Sequence, residues 1–389
     1  MMDTIKAAVI GCGAFARHQH FPNIQRSEKL ELVSGCSRSI ENRTWVEEMC
    51  CPAYTTPNAE DVFADPDVDM VVLSVPHSVH FEMMLQAIEA GKHVMAEKPM
   101  TMSMDESYQV CRAVKDHGVK LCVDYNRRFA PSMVHLREQY HAHRARPTVG
   151  GGQFIDTPDR PPLPEEDATM LMIRINDESS TYRPVHIDWK TGGGQVIGET
   201  CHWLDLACWL FDAEPTRVYA SGSFRLKHIV TLDFPGGHQA CIWFSPTGTF
   251  RYPKELYELT DHNALFRNLC FVETEIHGRG EPEIEYFDLQ YDELPEVEGQ
   301  GLAGYVAKLN ERARRHNASE GEQWPEVAPD KGHFQLLEAF ADAIINDSDS
   351  PIDEFAGARA TYLSLRAIES IRLGTPVPVN DEDMNFFVD

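Results

Sequence analysis

The chain has 389 residues, 42% of them hydrophobic and 25% charged, which is a globular composition too long for one ordinary core; two domains are expected. Its formal net charge of −26 excludes general affinity for nucleic acid or an anionic membrane, while a local basic pocket can still hold an anionic small molecule. No apolar run approaches the ~20 residues of a membrane span, and since Met1 to Lys6 run straight into a strand pattern no signal peptide is expected. The 10 cysteines are scattered without a CxxC pair, so a cytoplasmic protein with reduced thiols is expected, with no disulfide framework and no metal site.

Ile5 to Ile10 is an apolar run apart from Lys6, as in a strand buried on both faces. Gly11-Cys12-Gly13-Ala14-Phe15-Ala16 follows, the pattern GxGxxA. Gly11 permits the tight turn, Gly13 lets a phosphate approach the backbone, and Ala16 lets a helix sit close to the strand. The helix start after it offers N–H groups to a pyrophosphate. A strand before and a helix after make this a dinucleotide-binding turn, with Phe15 beside the cofactor.

Leu30 to Ser37 reads as the second strand, whose end meets the adenosine ribose. NAD-selective sites place an acid there, about 20 residues past the glycines. This chain has Ser37 and Arg38. A hydroxyl and a guanidinium suit a 2′-phosphate, which favours NADP over NAD; an Arg38 that stacks on adenine or points to solvent leaves dual use open.

Asp69 to Pro76 is another buried strand, with Ser74 and Pro76 at its carboxyl end. His77 there reads equally as a cofactor-ribose contact and as a loop histidine. Ser78 suits the cap of a helix through Ala90. His93 to Ala96 is a short strand that opens into Glu97-Lys98-Pro99-Met100. That is the place where ligands bind in an open parallel sheet, and Pro99 restricts the backbone of Lys98. Ser103 and Glu106 form a capping-box pattern for a helix to His117, and Val119 to Val123 is the last strand of this half. Strand–helix alternation from residue 5 to 124 predicts a doubly wound parallel sheet.

GxGxxA at 11–16, Ala-Glu-Lys-Pro-Met at 96–100 and Tyr125-Asn126-Arg127-Arg128-Phe129 with Pro131, in this order, resemble the Gfo/Idh/MocA family of NAD(P)-dependent oxidoreductases, which includes glucose–fructose oxidoreductase and inositol dehydrogenases. The resemblance implies an α/β protein: a Rossmann domain (1–124) and a second α/β domain (125–389) with an open, mainly antiparallel sheet facing the cofactor. It implies that Lys98 lies beside the nicotinamide and the reacting carbinol, with Asn126 and Arg127 lining that end. By the same resemblance, homodimers or homotetramers are expected.

Pro131 to Arg146 reads as a polar helix joining the halves. Pro147 to Asp167 reads as a long loop, either a lid or a plain insertion. Met170 to Asn176 is the first strand of the second domain. Gly192-Gly193-Gly194 then feeds a helix through Phe211. His202 and Asp205 lie three apart near its start and share a face. His202 matches the family's catalytic histidine. Family members that oxidise sugars or inositols have an Asp four residues before it; here that position is Gly198, followed by Glu199. Neighbouring residues point in different directions. Either Glu199 reaches the carboxylate position by a different backbone path, or His202 and Lys98 work without it. Glu199 and Asp205 are the candidate substrate contacts.

Arg217 to Phe224, His228 to Phe234 and Gln239 to Phe244 alternate as strands of an antiparallel meander, with further strands at 255–259 and 271–277. The acidic stretch 281–300 and the basic 312–315 read as solvated surface. Helices are expected from Lys331 to Ile345 and from Pro351 to Leu373.

The chemistry implied is hydride transfer between NAD(P) and a secondary alcohol of a sugar, sugar derivative or inositol. His202 is assigned as proton acceptor and Lys98 as the group that orients the hydroxyl; the reverse assignment uses the same pair. Desolvation and a cationic nicotinamide are expected to lower the pKa of Lys98 toward the working range. Two other readings share the fold. One is a redox-neutral glycosidase working by oxidation, elimination, hydration and re-reduction. The other is a dinucleotide sensor without turnover, against which Lys98 and His202 argue.

Overall fold

The computed structural model describes residues 4–145, 168–179, 182–318, 325–380 and 383. The loop expected at 147–167 lies outside the described residues. The first sheet has six parallel strands: β1 (Ile5–Ile10), β2 (Leu30–Cys36), β3 (Tyr54–Thr56), β4 (Met70–Leu73), β5 (His93–Ala96) and β6 (Leu121–Val123). Their order is β3-β2-β1-β4-β5-β6, which is the Rossmann order, and strand order reverses between β1 and β4. β4 is buried along its whole length, which is why it reads as an unbroken apolar run. β3 is the strand that the sequence reading leaves out. It has three residues and only one is buried, too little pattern to recognise.

Helices cover both faces of this sheet. Met104–His117 shows the local logic: Ser103 accepts from the Glu106 N–H at the start, and Gly118 closes the helix with a φ of 65°. Ser78 does not cap the next-door helix. Residues His77–Val79 form a 3₁₀ turn, and the helix His80–Glu89 starts after it without a side-chain cap.

The second sheet has nine strands in the order β14-β13-β12-β11-β7-β10-β9-β8-β17. They are β7 (Met170–Asn176), β8 (Arg217–Gly222), β9 (His228–Asp233), β10 (Gln239–Ser245), β11 (Glu255–Asp261), β12 (Ala264–Leu269), β13 (Glu273–His277), β14 (Glu283–Tyr286) and β17 (Val377–Pro378). β7 and β10 run parallel, and the other pairs are antiparallel. The stretch 281–300, expected as plain solvated surface, contains β14 and also β15 (Leu289–Asp292), which pairs with β16 (Val327–Pro329). β14 is exposed throughout, so its charges hid a strand that pairs through the backbone alone.

One face of the large sheet is buried. Leu171, Ile173 and Ile175 point inward from β7, while Met170 and Met172 point out. The inner face packs on the helices Cys201–Phe211 and Glu354–Leu373. The C-terminal helices also return to the first core: Leu336, Leu337, Phe340 and Ala360 are buried with the Rossmann residues. Among the described residues, no helix is long and apolar enough to cross a membrane, and all 10 cysteines are free.

Candidate active site

The carboxyl ends of β1, β2, β4 and β5 converge on one side of the first sheet. Gly11 there has a φ of 98°, and a Cβ on it would lie 2.0 Å from the Ser74 carbonyl oxygen. Only glycine fits that close approach of β1 to β4. Gly13 faces the other way, with no heavy atom within 4 Å of where its Cβ would be. That open space over the helix start is where a pyrophosphate fits. Ala16 is buried against the strand, and Phe15 is half-exposed beside the opening.

Ser37 and Arg38, the residues expected at the adenosine ribose, directly follow the end of β2. Arg43, which no sequence motif marks, donates from Nη1 to the Ser37 carbonyl at 2.6 Å and to the Arg38 carbonyl at 3.2 Å. Two guanidiniums thus flank this strand end. The residues present fit a nicotinamide dinucleotide from its ribose to its pyrophosphate.

Lys98 emerges from β5 through a cis Lys98–Pro99 peptide. The ring of His80 bridges this loop to the end of β4, its two nitrogens each 2.8 Å from a carbonyl oxygen, of Pro99 and Val75. Lys98 Nζ donates to the Gly198 carbonyl at 2.8 Å and to Glu199 Oε1 at 2.7 Å. The other oxygen of Glu199 accepts from Lys254 at 3.3 Å, and Lys254 also lies 2.8 Å from Asp177. Glu199 therefore takes a carboxylate position between two lysines. The backbone path that allows this is a π-helical turn, Val196–Thr200, ahead of the α-helix Cys201–Phe211. Its wider spacing changes which side chains face the cleft.

The pKa of Lys98 moves against expectation. Burial opposes its charge, but Glu199 beside it prevails and holds the ammonium above its ordinary value. His202 is 5% exposed and its Nδ1 is buried without a hydrogen-bond partner. Burial, then the charges of Arg127 and Lys98, hold its imidazole well below the usual histidine range. The site thus pairs a cationic lysine with a neutral imidazole.

The remaining expected residues divide. His77 Nδ1 lies 3.0 Å from the Gly192 carbonyl, so it ties the glycine turn to the end of β4. Burial pushes this histidine down to about 3, which keeps it neutral. Asn126 and Arg127 are buried behind the cleft. Asn126 Nδ2 donates to the Lys331 carbonyl at 2.8 Å, and Arg127 grips Glu255 through Nε at 2.7 Å and Nη2 at 2.8 Å. Asp205, expected to be a substrate contact, is fully buried and taken up by arginines. Its Oδ2 accepts from Arg128 Nε at 2.7 Å, and Arg359 lies 3.5 Å from Oδ1. The helix that carries it is buried on nearly all sides, so residues three apart meet different neighbours.

Glu97 faces inward. Its Oε1 lies 2.9 Å from His20 Nε2, and Asp124 is buried beside it. Burial pushes the Glu97 carboxyl up to about 7, against the pull of Lys98. In front of the cleft is a cavity of about 280 Å³ lined by Phe15, Tyr252, Lys254, Arg312, Lys331 and His333 among others. Lys254, Lys331 and His333 lie outside any motif, and no spacing signal in the sequence marks them.

A glycine turn at the head of a Rossmann sheet, with a Lys–Glu pair and a neutral histidine over its carboxyl edge, defines a nicotinamide-dependent oxidoreductase. The family models agree: residues 5–125 match the oxidoreductase family with an NAD-binding Rossmann fold, and residues 168–278 match the GFO/IDH/MocA C-terminal domain. The chain belongs to the Gfo/Idh/MocA family of NAD(P)-dependent oxidoreductases. It is 26% identical over 404 residues to the oxidoreductase YrbE of Bacillus subtilis, covering 97% of this chain and 98% of that one. It is 32% identical over 239 residues to the scyllo-inositol 2-dehydrogenase (NADP(+)) IolW of the same organism, covering 60% of this chain and 59% of that one. The aldose-aldose oxidoreductase of Caulobacter crescentus shares the fold, with a TM-score of 0.73 at 17% identity over 97% of this chain and 100% of that one. The glycosidase reading gains no support from these relatives.

Proposed function

We propose that this protein transfers a hydride between NAD(P) and a secondary alcohol of a sugar, sugar derivative or inositol. The observation that carries the reading is the cluster of Lys98, Glu199 and neutral His202 at the carboxyl edge of β5. A bound nicotinamide ring supplies the hydride acceptor. Gly11, Gly13, Phe15 and Ala16 would hold the pyrophosphate, Ser37 and Arg38 the adenosine ribose, and Ser74, Pro76 and His77 the middle of the molecule. In oxidation the neutral imidazole of His202 takes the hydroxyl proton as the carbinol carbon loses its hydride, and a ketone results. The Lys98 ammonium stabilises the alkoxide charge that develops, and Glu199 keeps that ammonium charged and aimed. Asn126 and Arg127 brace the site from behind.

The test is turnover with a panel of sugars and inositols, followed by reduced-nicotinamide absorbance. K98A and H202A are expected to lose at least about 100-fold in turnover, in line with removal of an acid–base group, and to keep cofactor affinity. Wild-type turnover in either variant overturns the assignment.

NADP is the proposed preference. Arg38 and Arg43 flank the strand end, and no acid occupies the position of Ser37 or Arg38. The two-domain division at 124/125 is likewise proposed, with the helices His333–Ile345 and Glu354–Leu373 bridging the halves. A homodimer or homotetramer is proposed through the outer face of the nine-stranded sheet. Met170, Met172, Ile229 and Trp243 are 40–49% exposed there. A monomeric mass for the wild type by light scattering would rule that out.

A further inference from the structure

We propose that His143, Asp261 and His262 form a binding site for a divalent transition-metal ion of the zinc type. The site lies far in sequence from the glycine turn and Lys98, where the helix Pro131–Ala145 meets the β11–β12 hairpin. One ligand atom from each residue falls within 4.8 Å of the others. Asp261 Oδ2 is 2.8 Å from His262 Nδ1 and 4.0 Å from His143 Nε2. In a tetrahedral zinc site with bonds of about 2.0–2.2 Å, ligand atoms stand about 3.3–3.5 Å apart. The observed separations straddle that value, and shifts under about 1 Å bring all three atoms to it.

The decisive observation is His143. Its residue is 4% exposed, and Nε2 is buried without a hydrogen-bond partner. A buried imidazole nitrogen aimed at a carboxylate oxygen 4.0 Å away is too distant for a hydrogen bond and spaced as two ligands of one ion are. The carboxylate is already oriented for this. Asp261 Oδ1 accepts from Thr169 Oγ1 at 2.7 Å and from Arg144 Nη1 at 2.5 Å, which leaves Oδ2 toward the histidines. An ion replaces the proton now shared by Oδ2 and His262 Nδ1. Asp261 and His262 also line a cavity of about 570 Å³, with room for a water as fourth ligand. The expected role is structural, a clamp between the helix that follows the Rossmann half and the large sheet.

The experiment uses the full-length protein, stripped with a chelator and then given Zn²⁺ or Co²⁺ alone. One equivalent of zinc per chain is expected after dialysis, with the visible absorption of tetrahedral Co²⁺ in the parallel sample and a higher thermal midpoint than the stripped form. H143Q is expected to weaken zinc binding at least about 100-fold, since loss of a ligand's outer-shell partner alone costs 10–100-fold. D261N serves as a second variant, and unchanged circular dichroism and cofactor affinity show that each variant is folded. A wild type that holds no stoichiometric zinc overturns the proposal. So does zinc binding that survives in H143Q, which places the ion elsewhere in the chain, as at the group His20, Glu97 and Asp124.

Discussion

Lys98 and Glu199 meet through a 2.7 Å hydrogen bond although 101 positions separate them in the chain. The pair links the two chemical stretches of the protein, the strand end of the Rossmann sheet and the turn ahead of the histidine helix. Its carboxylate is shared with Lys254, so one anion holds two partly buried cations.

Replacing that anion should therefore do more than remove a contact. In E199Q, Lys98 loses the charge that raises its pKa, while the burial that lowers it remains. Turnover is expected to drop about 100-fold, within the range for a group that supports acid–base chemistry. The alkaline limb of the pH–rate profile should move to lower pH, because the ammonium deprotonates sooner. A reduced rate with an unmoved limb would show that Glu199 acts only as packing.

Moving the carboxylate one position back should not restore the site. A Cβ at Gly198 would stand 3.0 Å from His77 Cε1 and 3.5 Å from the Gly192 carbonyl oxygen. An aspartate there displaces His77 and breaks its tie to the glycine turn. G198D is expected to lose activity, and the double variant G198D/E199G to stay at least about 10-fold below wild type, given what small misplacements of catalytic groups cost. Wild-type turnover in the double variant would mean that the π-turn does not decide which residue supplies the carboxylate.

Cofactor choice is open to a single substitution. S37D places a carboxylate where a ribose 2′-hydroxyl is bound and a 2′-phosphate is repelled. The ratio of kcat/KM for NADP to that for NAD should fall about 100-fold, or roughly 3 kcal/mol of discrimination. A wild type already selective for NAD would reverse the assignment of Arg38 and Arg43.

Glu97 makes a stability prediction with a definite sign. Its ordinary value is 4.5 and burial pushes it up to about 7. Between those two values the unfolded chain releases this proton and the folded chain keeps it. Stability from this group is therefore full below about 4.5, falls as pH rises, and is constant above about 7, for a loss on the order of 3 kcal/mol. E97Q keeps an oxygen for His20 and removes the titration. Its thermal midpoint should exceed wild type at pH 8 and approach it at pH 4. Equal differences at both pH values would remove Glu97 as the cause.

The Rossmann half was legible because its signals are local. β1, β4, β5 and β6 are short, mainly apolar runs bounded by Gly, Ser or charge, and Gly11 announces its turn by a requirement that no other residue meets. His202 was singled out by its place after a glycine run together with its match to the histidine of the family it resembles. Asp205 shows the limit of the same reasoning. Its spacing from His202 suggested a shared face, but Arg128, 77 positions earlier, claims the carboxylate. Arg43 and Lys254 were invisible for the related reason that neither sits in a repeating pattern or a motif.

What the sequence by itself determined is therefore the fold family, five of the six nucleotide-binding strands and the place of Lys98 at a strand's carboxyl end. Those follow from short-range rules: period, punctuation and residue type at a turn. What only the tertiary structure decided is which charges meet. Glu199 faces Lys98 because a π-turn resets the helix ahead of His202, and Lys254 reaches the same carboxylate because β11 lies next to β7 in the second sheet. A polar side chain's partner is set by the packing of distant elements, and that packing has no local signature in the chain.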